Sequence, residues 1–198
     1  YSVALAGTTA NVKAALAGTF AAALTGAVTL TDSSGTIDAT DLSTIGGATN
    51  GTVTSSNAIT ISGTTAQLTA ALVTGASKVV AASANVTFTD SPSTSALKDI
   101  NSAAGGTISL TGGDGYGLAF SGTTAQVKAA LAGTFAAALT GDVTLSDNPS
   151  TADLATINAA TNGTISLGGS DAYALAISGT TAQVKAALAG TFAAALTG

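Results

Sequence analysis

The sequence predicts an α/β protein built as a repeat solenoid, in which stacked strands form one continuous sheet and stacked helices lie on the other side. The first observation is a recurring Gly-Thr-Thr-Ala phrase, which begins at Gly7, Gly63, Gly122 and Gly179. The second is that each half of a repeat alternates strand-like and helix-like patterns. The third is a composition dominated by small residues, which lets neighbouring layers of backbone approach closely.

The spacing of these phrases gives a repeat period of about 57 positions along the chain. A second phrase lies between the Gly-Thr-Thr-Ala phrases and reads AVTLTD at 27–32, NVTFTD at 85–90 and DVTLSD at 142–147. We predict a single array over residues 1–198, with units at 1–57, 58–115 and 116–172 and a partial unit at 173–198. No Pro-rich, Ser-rich or charged linker separates the units, which disfavours a series of separate small α+β domains.

The first half of each unit is predicted to be a strand followed by a capped helix. In the last copy, YALAIS at 173–178 alternates as a strand does. Thr180 and Gln183 then fit the T-x-x-Q capping box that opens a helix. That helix has one apolar face, directs Lys185 to solvent and ends near Gly190. The FAAALTG segment returns as a strand or as a helix extension, and periodicity alone does not decide between them.

The second half of each unit repeats this plan. Val143 and Leu145 form the inward face of a short strand, and Ser150 and Asp153 supply an S-x-x-D helix cap. TISL at 164–167 is predicted as the closing strand. A single half-unit is too short to bury its apolar face alone, so we expect each half to be stabilised by stacking on its neighbours.

The composition excludes several classes of function. The chain is 46% apolar, only 8% charged and has a mean hydropathy of +0.50, which predicts a folded protein with a thin core. A net charge of −5 argues against nucleic-acid binding. The absence of Cys, His, Arg and Glu removes disulfides, cysteine zinc sites and most catalytic groups, so no catalytic residue is assigned and an enzyme is not expected. The most apolar stretch carries Lys13 within an amphipathic repeat, so no membrane span is predicted.

Five aspartates are the candidate site residues. Asp32, Asp90 and Asp147 each follow a strand, where they serve either as turn and helix caps or as a calcium ladder of carboxylates and turn carbonyls. Asp114 and Asp171 lie in glycine-rich turns similar to the nonapeptide of calcium-binding β-rolls, although the later aspartate of that motif is missing. Calcium is therefore the one cofactor that the sequence suggests, and plain turn chemistry is the alternative.

Two further patterns recur once per repeat. Lys13, Lys128 and Lys185 occupy the same exposed helix position, which indicates a structural and not a catalytic role. Threonines alternate along the VTL and TIS strands, and an outward threonine face would bind ice, glycans or another surface. The same alternation is typical of any solvated strand face.

The combination of VTLSD, DLATINAATNGTISL and YALAISGTTAQVKAAL resembles the repeats of very long bacterial, often cyanobacterial, cell-surface, surface-layer-type and adhesin-like proteins. The resemblance covers essentially the whole chain. It implies export, great length and a mechanical, adhesive or coat-forming role that sometimes depends on calcium. It carries over no catalytic residue.

These observations predict a non-enzymatic extracellular structural protein that forms a rod, filament or surface coat by stacking its repeats. An adhesin stalk or binding module with a Thr-rich face, with surface glycans among its ligands, is the alternative. We expect self-association, because open edge strands pair readily with another chain. The chain is accordingly expected to be a piece of a longer array or to bind a further subunit at its ends.

Overall fold

The computed structural model describes residues 1–55 and 57–197 and is an α/β protein with parallel sheets. Seven α-helices occur in the described residues, and most of them are short. They are α1 (Thr9–Leu16), α2 (Ala39–Gly47), α3 (Thr65–Leu68), α4 (Thr94–Ala103), α5 (Thr124–Leu131), α6 (Thr151–Ala160) and α7 (Thr181–Ala187). A π-helical turn at Thr69–Val73 continues α3, and 3₁₀ turns lie at Gly115–Gly117 and Ala172–Ala174.

All of the strands are short. They are β1 (Leu5–Gly7), β2 (Val28–Leu30), β3 (Thr36–Asp38), β4 (Val53–Ser55), β5 (Thr60–Gly63), β6 (Val79–Val80), β7 (Asn85–Phe88), β8 (Thr107–Leu110), β9 (Phe120–Gly122), β10 (Thr134–Phe135), β11 (Val143–Leu145), β12 (Thr164–Leu167) and β13 (Thr191–Phe192).

The chain divides into two compact units. Tyr1–Pro92 and Asp99–Gly113 form the first unit, and Ser93–Lys98 with residues 114–197 form the second. The finer division of one array at residues 57, 115 and 172 stays a prediction from the repeat spacing.

In the first unit, one sheet has the strand order β1-β2-β4-β6 and another contains β3, β5, β7 and β8 as successive neighbours. Every pairing within these strands is parallel. Val28 lies opposite Leu5 on one side and opposite Val53 on the other. Each of these strands therefore pairs with a strand further along the chain, in the next half-unit for β1 and β2 and in the same half-unit for β2 and β4.

In the second unit, β9, β11, β12 and β13 form one parallel sheet. Phe120, Val143 and Ile165 lie side by side in register, and each is at most 1% exposed. Helix α6 contributes Leu154 and Ile157, which are fully buried. The core thus contains a row of apolar side chains, one from each neighbouring strand.

The structure confirms the local predictions for the second half of the repeat. Val143 and Leu145 are the buried residues of β11, and TISL forms β12 with Ile165 inward. Ser150 is the N-cap of α6, and its hydroxyl oxygen accepts a hydrogen bond from the Asp153 N–H at 3.2 Å. These elements are set by short-range periodicity and capping chemistry, which explains why the sequence identifies them.

The prediction of one continuous sheet is wrong in detail, since the described strands form three separate sheets. Each sheet contains the same series of a strand before Gly-Thr-Thr-Ala, a VTL-type strand and a TIS-type strand. Two of the sheets end on strands of only two residues, β6 and β13. Such short strands present too few backbone groups to carry the ladder further.

The strand predicted at 173–178 is also absent, because a 3₁₀ turn occupies Ala172–Ala174 and residues 175–178 form no strand. The equivalent residues form β1 and β9, and each of these pairs with a VTL-type strand of the next half-unit. Among the described residues, no VTL-type strand follows the last copy. A short strand without a partner gains no ladder hydrogen bonds, so it does not form.

Candidate functional site

The strand-end aspartates hold the helices of neighbouring half-units. Asp147 Oδ1 accepts hydrogen bonds from the Thr124 N–H at 2.7 Å and from the Thr124 hydroxyl at 2.6 Å. Thr124 is the first residue of α5, so the carboxylate binds an N–H group that the helix itself leaves unpaired. The negative charge also lies at the positive end of the helix dipole.

The same pair of hydrogen bonds occurs three times, and we call it the threonine–aspartate clamp. Asp32 Oδ2 accepts from the Thr9 N–H at 2.8 Å and from its hydroxyl at 2.7 Å. Asp90 Oδ1 accepts from the Thr65 N–H and hydroxyl, both at 2.7 Å. The three clamps are thus Thr9–Asp32, Thr65–Asp90 and Thr124–Asp147, and in each the aspartate belongs to the half-unit that follows the threonine.

Each clamp adds a cross-link to a helix that already has a local cap. The hydroxyl oxygen of Thr123 accepts from the Gln126 N–H, while the Gln126 side chain accepts from the Thr123 N–H. The same capping box is present at Thr180 and Gln183, as predicted. The local cap fixes where the helix begins, and the aspartate joins that helix to the next half-unit.

Two ion pairs connect helices of successive half-units. Lys13 on α1 pairs with Asp41 on α2, and Lys128 on α5 pairs with Asp153 on α6. The two lysine side chains are 45% and 37% exposed. The position therefore faces solvent, as expected, and in addition contacts a carboxylate of the next helix. Exposed pairs of this kind add little stability, but they favour one neighbour over another by charge.

The second-half helices are linked to the following half-unit by a related contact. The Ser121 N–H donates to Thr94 Oγ1 at 2.9 Å, and the Ser178 N–H donates to Thr151 Oγ1 at 3.0 Å. Both threonines are buried and begin their helices. Threonine at the first helical position therefore serves as a donor in one half of the repeat and as an acceptor in the other.

Two aspartates have pKa values below the ordinary value for aspartate. The hydrogen bond from the Thr40 hydroxyl lowers the pKa of Asp38, which caps α2. The Lys128 ammonium, followed by the Ser150 hydroxyl, lowers the pKa of Asp153. Carboxyl groups of lowered pKa stay ionised near neutral pH, so these two are poorly suited to general acid chemistry.

The remaining candidates, Asp114 and Asp171, lie in turns. The backbone carbonyl of Asp114 accepts the Gly117 N–H at 3.0 Å in a turn where Gly113 has a φ of +53° and Gly115 a φ of +54°. Asp171 accepts a hydrogen bond from the Asn148 side-chain amide at 2.7 Å. Both positions are consistent with turn chemistry.

The five calcium candidates are not brought together. Within residues 1–55 and 57–197, no group of three or more acidic side chains is arranged to hold a metal ion. Asp32, Asp90 and Asp147 each lie in a separate clamp, and one oxygen of each carboxylate already accepts two hydrogen bonds. Calcium binding stays a prediction.

An apolar cavity of about 420 Å³ lies in the first unit. Tyr1, Leu5 and Phe20 are among the residues that line it. The corresponding residues of the second unit lie beside β12: Phe192 is opposite Ile165, and the Leu167 N–H donates to the hydroxyl of Tyr173 at 3.3 Å.

Comparison with known proteins finds no matching protein family, no matching curated protein and no matching solved structure. In the described part of the chain, no helix has both the length and the apolarity needed to cross a membrane.

Sequence reasoning missed the partners of the charged residues. Thr9, Thr65 and Thr124 were identified only as part of a capping phrase, and Asp41 and Asp153 were not paired with lysines. The missing information lies in the offsets along the chain, because each of these contacts joins a residue to one in the next half-unit. The number of residues between the two partners is close to the number between paired residues of neighbouring strands. Residues separated by that number along the chain therefore lie opposite each other in neighbouring layers.

Proposed function

We propose that this chain is a non-enzymatic, extracellular structural protein whose half-units stack as an α/β solenoid, forming a rod, filament or surface coat. The observation that carries the proposal is the parallel pairing of successive strands, in the same half-unit or in the next, all along the chain. A structure stabilised by contacts between neighbouring repeats is extended simply by adding repeats.

The polar contacts support the same function. The clamps and ion pairs join one half-unit to the next, so the charged residues in them hold the layers together and do not converge on a substrate site. Small residues at the layer boundaries serve the same purpose. A Cβ on Gly163 would lie 2.0 Å from the carbonyl oxygen of Gly141, so only glycine permits this approach of the backbones.

Insertion of an extra repeat tests the solenoid. A second copy of residues 116–172 is inserted after Ala172, and the maximum dimension is measured by small-angle X-ray scattering. The insert carries the three neighbouring strands β9, β11 and β12, so three added layers at about 4.8 Å each should lengthen the molecule by about 14 Å. A separate domain made from the inserted segment would add about 25 Å instead, by the usual scaling of domain size with length. An increase of that larger size would overturn the proposal.

A binding module is the second candidate, and the outward side of the sheets favours it. Ser121, Thr144 and Ser166 lie in register on neighbouring strands of the second unit, and Thr144 is exposed. Ser62 and Thr87 form a similar row in the first unit. A ladder of hydroxyl groups at the strand spacing would bind an ordered surface such as ice or a glycan.

The two functions are separated by binding measurements on the intact chain. A binding module should give thermal hysteresis in ice-growth assays or saturable binding on a glycan array, and Thr144→Val should weaken it. A structural rod should give neither result and should still lengthen when a repeat is inserted.

A further inference from the structure

Three Asn-x-Thr sequences occur in the chain, and each matches the acceptor sequence for N-linked glycosylation. They begin at Asn50, Asn85 and Asn162. Asn50 and Asn162 occupy the same position of the repeat, within the phrase ATNGT, whereas Asn85 is the first residue of β7. The acceptor sequence treats the three alike, so any difference between them comes from where the fold places each side-chain amide.

Asn50 and Asn162 lie in exposed turns that have a layer of backbone on either side. The Asn50 N–H donates to the Leu24 carbonyl at 2.7 Å, and β4, which follows the turn, pairs with β6. The Asn162 N–H donates to the Leu139 carbonyl at 2.9 Å, and β12 pairs with β13. Both side chains are exposed despite these neighbours. Their exposure is therefore a property of the turn itself.

The turns do not use the asparagine side chains. Asparagine is common before glycine because it tolerates a positive φ, but among the described residues other than glycine only Lys78 and Ala172 have one. In the part of the chain that the structure describes, neither side-chain amide makes a hydrogen bond. Gly105 takes the same position in the second repeat, and its N–H donates to the Ala82 carbonyl at 2.8 Å. Backbone contacts alone thus hold the turn, and both amides remain available for chemistry.

Asn85, in contrast, has a structural role. Its Oδ1 accepts a hydrogen bond from the Thr107 N–H at 2.8 Å, and β7 pairs with β5 on one side and with β8 on the other. A Cβ on Gly106 would lie 2.6 Å from the same oxygen, so the amide is closely packed. An enzyme could reach this amide only after the sheet had opened locally.

We propose that Asn50 and Asn162 are acceptor sites for an N-linked glycan and that Asn85 is not. The proposal rests on the extracellular function above, because this modification belongs to exported proteins. Asparagine Nδ2 forms a bond to C1 of the first sugar of a lipid-diphosphate-linked oligosaccharide, while the C1–O bond to the diphosphate breaks. The lipid diphosphate leaves with the electron pair of that bond, and the displaced amide proton passes to a base of the transferase.

The threonine of each acceptor sequence ranks the two sites. A transferase also recognises the hydroxyl group two residues after the asparagine. Thr52 is exposed, whereas Thr164 is partly buried at the start of β12. Asn50 should therefore be modified more completely than Asn162. A bulky, hydrated glycan at this position would keep the surface of a chain with only 8% charged residues in solution.

Enzymatic transfer to the folded chain tests the assignment. The chain is incubated with a purified oligosaccharyltransferase and a lipid-diphosphate-linked oligosaccharide, and the occupancy of each asparagine is measured by mass spectrometry of peptides. We expect Asn50 and Asn162 to be modified at least about tenfold faster than Asn85, because Asn85 requires local opening of its sheet. Unfolded peptides of residues 47–55 and 82–90 are the matched controls, and both should be modified.

Two variants check that the acceptor sequence itself is recognised. Thr52→Ala should abolish modification of Asn50 and leave Asn162 unchanged, and Thr52→Ser should retain it. Both variants should fold, because Thr52 is exposed. Modification of Asn85 as fast as that of Asn50 in the folded chain would overturn the proposal. So would an unmodified Asn50 in a chain whose control peptides are accepted.

The native chain gives the deciding measurement. Its peptides should carry glycan at Asn50, and a native chain without glycan at either turn would overturn the proposal whatever the transferase does in solution. Lengthening by about 14 Å per inserted repeat without any glycan would refute this inference and leave the stacking function standing. A glycosylated chain that fails to lengthen in this way would refute the stacking alone.

Discussion

Loss of the carboxylate at Asp147 should destabilise the second unit strongly. Asp147→Ala leaves the Thr124 N–H and hydroxyl without their acceptor, and Thr124 is only 6% exposed. Unsatisfied buried donors cost about 1–3 kcal/mol, and the lost charge at the helix N-terminus adds about 0.3–1 kcal/mol. We expect a loss of about 2–4 kcal/mol in the free energy of unfolding, measured by urea denaturation and circular dichroism.

The repeated sequence supplies the control for this prediction. Thr124→Val removes one bond of the clamp and should cost about 1.5 kcal/mol, whereas Thr181→Val changes the same local sequence where no clamp is described and should cost less than about 0.5 kcal/mol. Asp147→Asn keeps an acceptor oxygen and should cost about 1 kcal/mol. Equal losses for the two threonine variants would refute the reasoning, and so would an Asp147→Ala loss below about 0.5 kcal/mol, the least that one hydrogen bond contributes.

Four other results are expected. Leu131→Ala should cost about 2–4 kcal/mol in urea unfolding and Leu188→Ala less than about 1 kcal/mol, because their exposures are 6% and 47%; equal costs would contradict the packing. Gly163→Ala should lower the Tm, since its Cβ would meet a backbone oxygen at 2.0 Å, whereas Gly47→Ala has open space and should be neutral or stabilising. The hydrogen bond from Lys128 lowers the pKa of Asp153 below its value in the unfolded chain, so the ionised carboxylate stabilises the fold above about pH 4, and this stabilisation is lost as the pH falls through the folded pKa. Asp153→Asn should therefore make the free energy of unfolding less dependent on pH in the acid range. An unchanged pH dependence would count against the ion pair. A chelator should lower the Tm if calcium binds, and an unchanged Tm would remove the calcium ladder.

Local elements of the repeat could be predicted from the sequence because short-range interactions decide them. The capping boxes and the inward residues of β11 and β12 follow from side-chain chemistry within one or two turns of chain. The absence of a strand at 173–178 could not be predicted in this way. Its sequence alternates as β9 does, but a strand also requires a partner, and that partner lies in another half-unit.

The candidate site shows the same limit. The sequence identified Asp32, Asp90 and Asp147 as recurring strand-end residues and left two interpretations open, a helix cap or a calcium ladder. The structure places each in a clamp with a threonine of the preceding half-unit. The interpretation depended on what lies opposite the carboxylate, which no local pattern contains.

The sequence by itself determined the period, the strand–helix–strand plan, the helix caps and the small-residue core, since each depends on neighbours along the chain. Only the tertiary structure decided the three sheets, the clamps and the different burial of two identical segments. The physical reason is that parallel pairing and burial depend on the next layer of the stack. The same leucine is buried at position 131, where a second-half segment packs against it, and half exposed at position 188, where the described residues include no such segment.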